Sequence, residues 1–95
     1  MANLRELKKD IDFLVFEVIS DCLTFSEVHP DKNPDDVSAI ITDAVDLRND
    51  LFARVNNPDG KDNPKLVKAY YQAVKKDLFE GVDKLFDRLS SLSGK

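Results

Sequence analysis

One cysteine, one histidine and three glycines are all that the 95 residues contain of those types, and each scarcity closes a class of function. A lone Cys22 cannot form an intrachain disulfide, so the chain has no need of an oxidising compartment. It falls inside an apolar helical pattern, where a thiol is expected to be a small, inert core group. With His29 as the only imidazole, acid–base or nucleophilic machinery would have to pair it with Cys22 or with a carboxylate such as Asp31. A Gly-rich phosphate cradle and a zinc-type set of Cys and His are both missing, and the turn at Asp59-Gly60 lacks the acidic series and terminal Glu of a calcium loop. The chain is expected not to be an enzyme, and it implies no cofactor, metal or small-molecule substrate.

Long apolar runs are missing too. No stretch approaches the ~20 residues that span a bilayer, and no charged segment followed by an apolar run and a small-residue cleavage site opens the chain. A cytoplasmic protein without a membrane partner is the expectation. Sustained alternation of apolar and polar residues is absent, and the β-branched residues sit at helical intervals, which leaves no support for strands.

What is present is helical periodicity in three long blocks. The first runs from Leu4 to Phe25, where Leu4, Leu7, Ile11, Leu14, Val15, Val18, Cys22 and Phe25 recur at spacings of three and four. Phe16, Ile19 and Leu23 form a second apolar set about a quarter to a third of a turn away, and Phe13 points nearly opposite the main stripe. Such a helix either packs between two others or has its second face covered by another chain. The second block, Pro34 to Val55, is expected to bury Val37, Ile40, Ile41, Ala44, Leu47, Leu51 and Val55. The third, Pro64 to Leu92, is expected to bury Leu66, Val67, Tyr70, Tyr71, Val74, Leu78, Val82, Leu85, Phe86, Leu89 and Leu92. Gly81, inside that block, costs about 1 kcal/mol relative to alanine, and reads either as the close approach of a neighbouring backbone or as a plain tolerated glycine.

Two helix starts carry the same sequence, Asn33-Pro34 and Asn63-Pro64. In each, the Asn side chain suits the first free backbone amides, and the Pro suits the first helical position. Asn3 and Glu6 have the spacing of a capping box at the first start. The linkers SEVHPDKN and NNPDGKDN collect the turn-forming residues. The expected fold is an all-α, single-domain (residues 1–95) antiparallel three-helix bundle with long helices.

Charge is unevenly spread around a net of −4. Between Asp10 and Asp59 twelve acids face three bases, whereas between Lys61 and Lys76 five lysines face one acid. Lys65, Lys68, Lys75 and Lys76 share one polar face of the third helix, with Lys61 leading into it, and suit an acidic partner such as the acidic half of a second copy. Nucleic acid ranks lower: no Arg lies in this patch, and Tyr70 and Tyr71 fall on the apolar side. Asp43, Asp46 and Asp50 line one face of the second helix without further ligands and read as solvated carboxylates.

The string His29-Pro30-Asp31-Lys32-Asn33-Pro34 resembles the signature loop of J-domain co-chaperones, which also joins two helices. The resemblance implies stimulation of a chaperone ATPase, carried here by His29, Pro30 and Asp31. In that family the preceding helix is basic; here it carries Glu17, Asp21 and Glu27 and no base after Lys9, the opposite electrostatic sign. The expectation from the residues themselves is a non-enzymatic interaction protein, a homodimer or the binder of another protein, using Phe13, Phe16, Ile19 and Leu23 as its apolar contact.

Overall fold

A computed structural model describes residues 4–57 and 63–93. Three helices follow one another, α1 (Leu4–Val28), α2 (Pro34–Asn56) and α3 (Pro64–Ser93), and every pair of them is in contact. This is the all-α three-helix bundle that the periodicity implies. The molecule is a rod of 52 × 20 × 19 Å. Its radius of gyration, 15.4 Å, exceeds the ~12 Å of a compact domain of this length.

The core is wholly apolar among the described residues. Leu7, Ile11, Val15, Val18, Cys22 and Phe25 of α1 meet Val37, Ile40, Ala44, Leu51 and Val55 of α2 and Val74, Leu78, Val82, Leu85 and Leu89 of α3. Among the described residues, ion pairs tie the helices across their edges: Arg48 Nε donates to Asp12 Oδ1 at 2.7 Å, Arg54 Nη1 to Asp77 Oδ2 at 2.7 Å, and Arg88 Nη1 to Asp43 Oδ2 at 2.6 Å. All three are solvent-accessible and each contributes about 0–1 kcal/mol, so they set register more than stability.

The two Asn-Pro starts work differently. Asn63 caps with its side chain, Oδ1 accepting from the amides of Lys65 at 3.0 Å and Leu66 at 3.4 Å. Asn33 makes no such bond. It lies in the left-handed region at φ 52°, ψ 47°, and only its backbone carbonyl accepts, from the Val37 amide. Its value there is tolerance of positive φ, a second property of Asn that the spacing did not separate from capping. Asn3, Asp59 and Gly60 lie outside the described residues, as does the side chain of Leu4.

Two packing expectations are corrected. Leu66 is 56% exposed, because α3, at 30 residues, is longer than its neighbours and no residue before Val74 on it is buried. Gly81 is approached by a side chain and not by a backbone: a Cβ placed there would lie 2.9 and 3.0 Å from the two δ-methyl groups of Leu47.

Candidate functional site

The first helix does not lie between the other two. A cross-section of 20 × 19 Å is about two helix diameters, so each helix touches two neighbours and keeps an outer face in solvent. On α1 that face is apolar: Phe16 is 69% exposed, Phe13 64% and Leu23 53%, with Ile19 half-buried at its edge. Val45 of α2 is also exposed. A shallow groove between α1 and α2 is lined by Asp12, Phe13, Val15, Phe16, Ile19 and Arg48.

Arg48 lines this groove from α2. While Nε holds Asp12, its guanidinium lies 4.2 Å from the ring centroid of Phe52, and Lys8 Nζ lies 6.0 Å from the same ring. A cation over an aromatic face contributes about 0.5–1 kcal/mol at an exposed site. Sequence reading missed the pairing of Arg48 with Phe52. Their spacing of four along one helix was the available signal.

The lysines form a separate surface. Lys65, Lys68, Lys75 and Lys76 are all exposed on α3, which contributes no residue to the α1–α2 groove. Lys61 lies outside the described residues. The lysines and the apolar face thus lie on different helices. Asp43, one of the three spaced carboxylates on α2, is engaged by Arg88.

In the α1–α2 turn, His29, Pro30 and Asp31 are exposed. The His29 amide donates to Phe25 O at 2.8 Å, its carbonyl accepts from the Lys32 amide at 3.1 Å, and its ring sits 5.1 Å from that of Phe25. The loop residues thus close the end of α1 and the turn after it. Cys22 is buried, and its thiol pKa is pushed up by burial and by Asp21, with Arg88 opposing. A raised pKa keeps the thiol protonated and unreactive at neutral pH.

Among the described residues no group of three His, Cys, Asp or Glu is placed to hold a metal ion, and no helix is long and apolar enough to cross a membrane. No family model, curated protein or solved structure matches this chain.

Proposed function

We propose that this chain is a non-enzymatic, cytoplasmic interaction protein that forms a homodimer through the outer face of α1. The observation that carries this reading is the exposure of Phe13 and Phe16 side by side with Leu23 and the Ile19 edge. Single exposed apolar residues are ordinary, but a contiguous set with two phenylalanines is what contact surfaces present. Each phenylalanine offers on the order of 150–250 Å². Removing that area from water is worth about 25 cal/mol per Å², so one face against another supplies several kcal/mol before the cost of association is subtracted.

Sedimentation of the wild type and of Phe16→Asp tests the reading. The wild type is expected to sediment as a dimer at tens of micromolar. Phe16→Asp should be a monomer with an unchanged far-UV circular dichroism spectrum, because the side chain it replaces is not part of the core. A folded wild-type monomer at that concentration overturns the proposal.

A further inference from the structure

The outer face of α1 is ordered along its length by charge as well as by apolarity. Lys9, Phe16 and Leu23 recur every seven residues, and at 100° per residue Arg5 and Glu27 both point within about 20° of Phe16. Bases therefore occupy the N-terminal end of the face, apolar groups the middle, and an acid the C-terminal end. Arg5, Lys9 and Glu27 are exposed, and none is in an ion pair with another described residue. Of the acids near the basic end, Asp12 is already held by Arg48, and Glu6 points about 80° around the helix from Phe16.

We propose that the occupant of this face is a second copy of the chain whose α1 runs antiparallel to the first, with the two-fold axis beside Phe16. Arg5 of each protomer then meets the partner's Glu27. This rests on the reading of the face as a self-contact and adds its geometry. Arg5 precedes Phe16 by as many residues as Glu27 follows it, and the same equality holds for Lys9 with Leu23, all four pointing close to the direction of Phe16.

A two-fold at Phe16 therefore sets base against acid at both ends of the contact and apolar surface against apolar surface between them. Phe16 lies on its own copy, and the methylene stem of Lys9 lies along the partner's Leu23. The contact runs about 30 Å, at 1.5 Å per residue from position 5 to position 27. A parallel pairing would put each charge against its own copy, Arg5 on Arg5 and Glu27 on Glu27, a repulsion at both ends.

Charge reversal and its rescue test the arrangement. Dissociation constants are measured by sedimentation at low salt for the wild type, Arg5→Glu, Glu27→Arg and the double variant. Both substitutions place the new charge where the helix macrodipole favours it, acid in the first turn and base in the last, so α1 is not weakened by either. Each single variant loses an attraction and gains a repulsion at two symmetric places, and should weaken the dimer roughly tenfold. The double variant should return to within about threefold of the wild type, and the single-variant effect should shrink in high salt.

A double variant as weak as the singles overturns the antiparallel arrangement. So do single variants that dimerise like the wild type while Phe16→Asp stays monomeric, and in that case the face itself remains the self-contact. A monomeric wild type rejects both the arrangement and the reading beneath it.

Discussion

At the scale of single residues, Asn33 and Asn63 occupy the same position before a proline and serve by different atoms. The side chain of Asn63 accepts two helix amides, so Asn63→Ala should cost about 1 kcal/mol and Asn63→Ser should recover most of it. At Asn33 the left-handed backbone is the constraint, and there Asn33→Gly should be near neutral or stabilising. Both Asn33→Ala and Asn33→Ser should lose about 1 kcal/mol. Urea midpoints of the five variants check the contrast.

The buried Cys22 supplies a pH test whose sign is fixed by its raised pKa. Below about pH 8.5, the free-thiol value, the thiol is protonated in both states and contributes no pH dependence. Above it the unfolded chain loses the proton and the folded chain keeps it. Folded protein then binds more protons than unfolded, and stability falls as pH rises, by at most about 1.4 kcal/mol per unit. The stability advantage of wild type over Cys22→Ala in urea should therefore be larger at pH 7 than at pH 10, and an advantage that grows with pH would contradict the burial.

At the scale of elements, the α2–α3 contact includes one close approach, Leu47 against Gly81. Alanine at Gly81 gains about 1 kcal/mol of helix propensity. Its Cβ would, however, push the Leu47 methyl groups out of their present rotamer, at a similar cost. Gly81→Ala alone should thus stay within about 1 kcal/mol of wild type, whereas in a Leu47→Ala background it should gain about 1 kcal/mol. Denaturant melts of the four members of the cycle measure that coupling.

The helices themselves were legible because their apolar residues keep a helical period and two of their starts carry Asn-Pro; the expected starts coincide with the observed ones and the expected ends fall one to three residues short. Leu66 was not legible. It keeps the period, but period says which way a side chain points and not whether a neighbouring helix extends far enough to cover it. For the same reason Gly81 could be read as a close approach without revealing that Leu47 makes it. Periodicity belongs to one helix, and packing partners belong to two.

At the scale of the whole molecule, a rod two helices wide explains why an excess of apolar surface could be counted in the sequence but not assigned. The period of α1 shows more greasy positions than one stripe needs, and only the cross-section shows that no third neighbour is present to cover Phe13 and Phe16. Core and exposed apolar face are then separable. Substituting Ile11 or Leu51, both buried, with alanine should cost 2–5 kcal/mol in any assembly state.

The face on α1 should act through mass action instead. If the dimer is the folded form that predominates at tens of micromolar, its dissociation is linked to unfolding, and the melting temperature of the wild type must rise with protein concentration. Phe16→Asp should melt at one temperature across the same range, close to that of the dilute wild type, because an exposed substitution changes the monomer by no more than about 0.5 kcal/mol. Thermal melts from about one to one hundred micromolar make the comparison. A wild-type melting temperature independent of concentration would place the stabilisation inside one chain and take from the apolar face its role in assembly.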